Sequence, residues 1–244
     1  MQPLAIEIWS DIACPWCYIG KRRFEAALRT TPDLGDVSVT WRAFELDPRA
    51  PKGYPEHPAH DERLARKYGV SVAEAKQMIA RVAAIGKPEG IDFDFDALRG
   101  GNTFDAHRLL AFARAHAPKE QGVLKERLLR AYFCEGRAIG ELSVLAGLAE
   151  DVGLDADRVA EVLHSDQHAA DVRRDEANAA QFGVRGVPFF KIGRYGVSGA
   201  QPSELLGEVL SKARAESSDS DATEARGDEN AGASDEVCDT GRPC

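Results

Sequence analysis

Cys14, Pro15, Trp16 and Cys17 sit between an apolar run and an amphipathic one, in IEIWSDIACPWCYIGKRRF (6–24). Two cysteines with two residues between them at a helix start share one face, close enough for a disulfide to close across a turn. The first lies where unpaired N–H groups and the positive end of the helix dipole stabilise a thiolate, so Cys14 is the expected nucleophile. Cys17, one turn deeper, is the expected resolving thiol, which attacks the mixed disulfide on Cys14. The same spacing is half of a zinc site, whose other ligands would be Cys238 and Cys244, with five residues between them, a wider gap than zinc knuckles normally use. A knuckle also prefers a Gly-rich turn, whereas Pro-Trp and a helix stand here. Redox chemistry is therefore the expected use, with metal binding and passive buried thiols as the alternatives.

The elements that must hold this pair are legible as periodicity. LAIEIW (4–9) alternates and reads as a strand; from Cys14 to about Leu28 apolar residues recur at helical spacing with Pro15 in the tolerated first turn; VSVTWRAF (37–44) is a second strand. A Pro-rich loop, ELDPRAPKGYPEHP, precedes helical periodicity over 59–68, 71–85, 103–117, 119–135, 141–152 and 155–165, with no strand between. A helix over 166–181, strands at 187–192 and 195–198 joined by Gly193-Arg194, and a helix from Pro202 or Ser203 to about Ala215 complete the pattern. The expected architecture is an α/β domain from 1–45 plus 166–215, an all-helical insertion over 46–165, and an acidic tail over 216–244.

Of the 244 residues 43% are apolar, enough for a large core. The net charge of −9 is concentrated in residues 215–244, where nine acids face only Arg226 and Arg242. The body is nearly neutral, without the basic stripe that nucleic-acid binding needs. No apolar run is long enough to span a membrane, and MQPLAIEIWSD lacks the basic and apolar regions of a secretory signal, so a cytoplasmic protein is expected. Cys134, alone in FCEGR, reads as a small buried apolar residue. His57 and His60 lie in the loop region, and His164 and His168 share i, i+4 spacing without a metal motif.

The order strand, CPWC, helix, strand, helical insertion, helix, G-V-P, two strands, helix resembles the thioredoxin fold of DsbA-like oxidoreductases. More narrowly, WSDIACPWCYIGK (9–21), GNTFDAHRL (101–109) and GVRGVPFF (183–190) are similar to the FrnE-type branch of that family. The resemblance covers roughly residues 4–212. It implies a thioredoxin-like fold with an inserted all-helical domain and a cis Val187–Pro188 bond facing the cysteines. Pro15, Trp16, Val187 and Pro188 would then contact the substrate, with the backbone of Val187 pairing with an extended peptide. Asn102, Thr103, His107 and Arg108 would border the cleft, Asn102 and His107 as substrate-binding residues; helix capping and a structural histidine explain the same segment without function.

The implied activity is thiol-disulfide exchange or isomerisation on disulfide- or thiol-containing proteins or small thiols, with no cofactor and no metal. Kappa-class glutathione transferases and 2-hydroxychromene-2-carboxylate isomerases share the arrangement, but typically carry a serine at the first active-site position and lack the second cysteine. A thiol-based metal-binding protein is the remaining alternative. Cys238 and Cys244 flank a turn-forming Asp-Thr-Gly-Arg-Pro, and the 23 residues from Ala215 to Cys238 span about 25 to 30 Å as a flexible coil. A second, auxiliary redox pair and an idle solubilising tail are both open readings.

Overall fold

The structure is a computed structural model that describes residues 2–53 and 58–229, with side chains of the last helix described as far as 217. The chain runs β1 (Leu4–Ser10), α1 (Pro15–Thr30), β2 (Val37–Ala43), α2 (His60–Tyr68), α3 (Val72–Gly86), a 3-10 turn (Lys87–Glu89), α4 (Phe104–His116) and α5 (Gln121–Cys134). It continues through α6 (Leu142–Glu150), α7 (Ala156–Leu163), α8 (Ala169–Gln181), β3 (Phe189–Ile192), β4 (Tyr195–Ser198) and α9 (Ser203–Glu229). The sheet order is β2-β1-β3-β4. β1 and β2 are parallel, with Ile8 opposite Trp41; β3 is antiparallel to both β1 and β4, with Phe190 opposite Ile8 and Val197. This α/β arrangement, with the helices from α2 to α8 between β2 and β3, is the thioredoxin-like fold that the motif order implied.

Alternation along β1 divides the interior. Leu4, Ile6 and Ile8 face α1 and α9 and pack with Phe24, Ala27, Phe190, Ile192, Leu206 and Leu210. Trp9 points the other way, against Ala179 of α8 and Val184, and its indole Nε1–H donates to the carbonyl oxygen of Asp175 at 2.8 Å. A third cluster fills the helical block, built on Leu109, Leu124, Leu128, Phe133, Leu145 and Val159. Ile12, Tyr18 and Ile19 belong to that third cluster, so the loop after β1 and the first turns of α1 are wedged between the sheet and the helices.

Side-chain polar groups seal the joint. The Gln121 amide of α5 accepts from Trp41 N at 3.0 Å and donates to Trp41 O at 2.9 Å, covering part of the free edge of β2. The buried carboxylate of Asp175 accepts from Arg42 of β2 at 3.0 Å and from Arg114 of α4 at 2.7 Å. Local signals start and stop the helices: Ser71 and Glu74 form a capping box on α3, and α2 ends at Gly69 with φ 66°.

The expected end of the last helix near Ala215 is too early, because α9 continues to Glu229 and takes in the first part of the predicted tail. Helix nucleation is costly and propagation is not, so a segment without proline extends a helix whose first turns are already packed. An apolar period is the mark of a helix face that packs and sets no limit on where a helix ends.

Candidate active site

Cys14 is the N-cap of α1, in extended backbone (φ −106°, ψ 110°), and Pro15 follows in the first turn, where its missing N–H leaves no bond unmade. Both cysteines are free thiols, Cys14 at 4% exposure and Cys17 at 0%, while the Trp16 ring between them is 39% exposed. Cys17 N donates to Cys14 O at 3.0 Å, the tight turn that puts both sulfurs on one side. The Cys14 thiol donates to the carbonyl oxygen of Val187 at 3.5 Å, and the Val187–Pro188 bond is cis.

Contact between these two segments depends on Gly20. A Cβ there would stand 2.8 Å from Pro188 Cγ and 3.5 Å from Ala200 Cβ. No side chain fits at this distance without moving α1 away from the proline loop. Gly199 N donates to Pro188 O at 2.8 Å and fixes the loop from its other side.

Beneath the thiols lie charged groups on buried side chains. Asp11 is 1% exposed; its Oδ1 accepts from Ile12 N at 2.7 Å and from His107 Nε2 at 3.2 Å, and its Oδ2 accepts from Leu46 N at 2.8 Å. Burial pushes the Asp11 carboxyl up, but the hydrogen bond and charge of His107 outweigh it and hold the group below the usual aspartate value. Lys125 of α5 is wholly buried, and its Nζ donates to Ser10 O at 3.3 Å. Burial pushes that ammonium down to about 8, against the opposing pull of Cys17, Asp11 and Cys14.

The two thiols titrate as one system. The hydrogen bond with Cys17, followed by burial, pushes Cys14 well up. Burial also acts to raise Cys17, but the hydrogen bond from Cys14 and the Lys125 charge hold it below the usual thiol value. The Lys125 charge acts on a thiolate at Cys17, and the N-cap position of Cys14 supplies helix-end stabilisation for a thiolate at Cys14.

The remaining predicted residues separate into two groups. His107 is 1% exposed and reaches the site only through Asp11. Asn102 is buried elsewhere: its Nδ2 donates to Ala50 O at 3.2 Å and its Oδ1 caps Phe104 N at 2.8 Å, which clamps the loop after β2 onto the start of α4. Arg108 ties α4 to the segment before α8, donating to Asp105 at 2.7 Å and to Gln167 O at 2.9 Å. His164 bonds Ala160 O at 2.9 Å and His168 bonds Asp171 at 2.8 Å. His60 opens α2 rather than lying in the loop, and its ring stacks on Phe95. Cys134 is half-buried against the helical core. His57, Cys238 and Cys244 lie outside the described residues.

Sequence reading did not single out Ser10, Asp11, Gly20 or Lys125. For Lys125 a signal existed: in QGVLKERLLRAYF it occupies the same helical face as Leu124, Leu128 and Leu129, an apolar stripe where a lysine is out of place.

The family described as a DSBA-like thioredoxin domain matches residues 5–211 of the chain. The protein belongs to that family. A probable DsbA oxidoreductase from Streptomyces coelicolor is 41% identical in sequence and superimposes with a TM-score of 0.80, covering 86% of this chain and 89% of its own. The uncharacterised protein YwbO of Bacillus subtilis (strain 168) is 28% identical over 211 residues, 84% of this chain and 95% of that one. A 2-hydroxychromene-2-carboxylate isomerase shares the fold at 14% identity, with a TM-score of 0.64 over 88% of this chain and 98% of the isomerase. DSBA-like proteins are thiol-disulfide oxidoreductases, and among the described residues of this member no helix is long and apolar enough to cross a membrane.

Proposed function

We propose that this DSBA-like protein is a thiol-disulfide oxidoreductase, or isomerase, that works through Cys14 and Cys17. The observation that carries the reading is the pairing of two free thiols at the start of α1 with the Val187 carbonyl 3.5 Å from Cys14 Sγ. An attacking Cys14 thiolate would form the mixed disulfide; Cys17, already bonded to Cys14 through its backbone, would displace the product thiolate. The exposed Trp16, between the two cysteines, offers an apolar surface to an extended peptide or a small thiol.

The glutathione-dependent isomerase reading shares this fold, but gives no role to a second buried thiol beside the first. Cys238 and Cys244 are proposed as an auxiliary pair that exchanges with Cys14 and Cys17, a reading supported by their spacing in the sequence.

The test is a titration of the full chain in glutathione buffers after metal chelation, with alkylation and peptide mass mapping. Joint, reversible switching of Cys14 and Cys17 is expected. Thiols that form no disulfide, and resist alkylation only when metal is restored, would replace this reading with metal binding.

A further inference from the structure

Lys125 is the anomaly of the site. Lys21, also buried, is neutralised by Glu25 at 2.5 Å and Glu126 at 2.8 Å. Among the described residues Lys125 has no carboxylate in salt-bridge range, only the long bond to Ser10 O at 3.3 Å and the Trp41 ring 5.8 Å away. Its bond to Ser10 O places it at the end of β1, directly before the active-site loop, where the charges of Cys17, Asp11 and Cys14 act to hold its proton and that of Lys21 acts to expel it. Asp11 is already taken by two backbone N–H groups and His107. An ammonium held out of water with one weak acceptor is costly, and a counter-charge or loss of its proton relieves that cost.

We propose that Lys125 is the counter-ion of the thiolate formed at Cys17, and that it makes this pair more oxidising than the CPWC motif alone would be. The inference rests on the oxidoreductase reading. A partner thiolate attacks Cys14 Sγ of the Cys14–Cys17 disulfide, a new S–S bond forms, and Cys17 Sγ leaves with the electron pair beside Lys125. A second partner thiolate then attacks the partner sulfur, Cys14 leaves with the electron pair of that bond, the cysteine pair takes up one proton, and the partner departs as a disulfide. The partner loses two electrons and the protein's pair gains them. Lys125 touches no substrate; it is a positioning residue that stabilises the leaving group, and a better-stabilised leaving thiolate departs faster.

In the disulfide form that counter-charge is gone. The Lys125 ammonium therefore loses its proton more readily in the oxidised protein than in the reduced one.

The experiment uses the full chain, unmutated and as Lys125→Met and Lys125→Arg. Replacing a buried charge by an apolar side chain of similar length usually preserves folding. Two readouts are taken: thiolate ultraviolet absorbance against pH, and the equilibrium of the pair with glutathione. In Lys125→Met the thiolate should appear at higher pH and the equilibrium should move roughly tenfold towards the disulfide; Lys125→Arg should stay near the unmutated protein. A folded Lys125→Met with both readouts unmoved overturns the proposal.

Should the methionine variant not fold, the titration of Lys125 13Cε by NMR in unmutated oxidised and reduced protein decides instead. A lower midpoint in the oxidised form supports the counter-ion role, and equal midpoints overturn it. Should the unmutated pair form no disulfide, the oxidoreductase reading fails, while the thiolate titration still decides for or against Lys125.

Discussion

Cys14 Sγ lies 3.5 Å from the carbonyl oxygen of Val187, although 173 positions separate the two in the chain. The sheet makes the meeting possible: β1 delivers Cys14 at its C-terminal end, and antiparallel β3 starts at that same end just after Pro188. A substrate sulfur bound at Cys14 would sit beside a backbone segment able to pair with the substrate chain.

The two cysteines should differ sharply when replaced. Cys14→Ser should abolish disulfide exchange, whereas Cys17→Ser should retain the first attack and accumulate a mixed disulfide on Cys14. Intact-mass analysis after incubation with oxidised glutathione distinguishes them. Equal trapping in both variants would refute the assigned order of attack.

Gly20→Ala places a methyl group 2.8 Å from Pro188 Cγ. It should destabilise the fold by about 1 to 3 kcal/mol and slow exchange at Cys14 by displacing the proline loop. Denaturant unfolding and a turnover assay read the two effects, and a Gly20→Ala variant unchanged in both would show that the contact relaxes freely.

Acid stability should depend on Asp11. Its folded pKa lies below the ordinary aspartate value, so between the two the unfolded chain binds more protons. The stabilisation is therefore fully present above about pH 4 and is lost as pH falls through the lowered folded value. Asp11→Asn should flatten the acid limb of the stability curve, as read by unfolding at a series of pH values. An acid limb as steep as in the unmutated protein would place the linkage elsewhere.

Asp175→Ala removes the carboxylate that joins Arg42 and Arg114 at 3.0 and 2.7 Å and leaves Arg42 paired with Glu7 alone among the described residues. Removing the shared acid should cost about 1 to 3 kcal/mol and loosen α4 and α8 from β2. The test is hydrogen exchange with a denaturant midpoint; loss of stability without faster exchange in those elements would contradict a joint-sealing role.

Cys238→Ser with Cys244→Ser, in the full chain, separates an auxiliary redox pair from an idle tail. If the pair is auxiliary, the Cys14–Cys17 titration in glutathione should keep its reversibility and lose the coupled second transition. A titration identical to that of the unmutated protein would leave the tail cysteines without a redox role.

Much of this protein was determined locally. The alternation of LAIEIW, the helical stripes from α2 to α8 and the Gly193-Arg194 turn are consequences of burying one face or one stripe, and each is written in a short window of residues. The CPWC spacing likewise determined that two thiols share a helix start. Helix propagation needs no apolar period, so for α9, which runs past Ala215 to Glu229, the same logic stopped short.

Only the tertiary structure decided what surrounds the thiols. Asn102 and His107 read alike in GNTFDAHRL, yet one clamps a loop and the other bonds Asp11, because one sits just before α4 and the other on its buried face. Gly20 became a requirement only when Pro188 arrived against it. Lys125 and Ser10 meet across 115 positions, and a lysine's charge acquires a role only from the groups that replace water around it. Burial and proximity between distant segments are properties of the fold as a whole, which no local window of sequence contains.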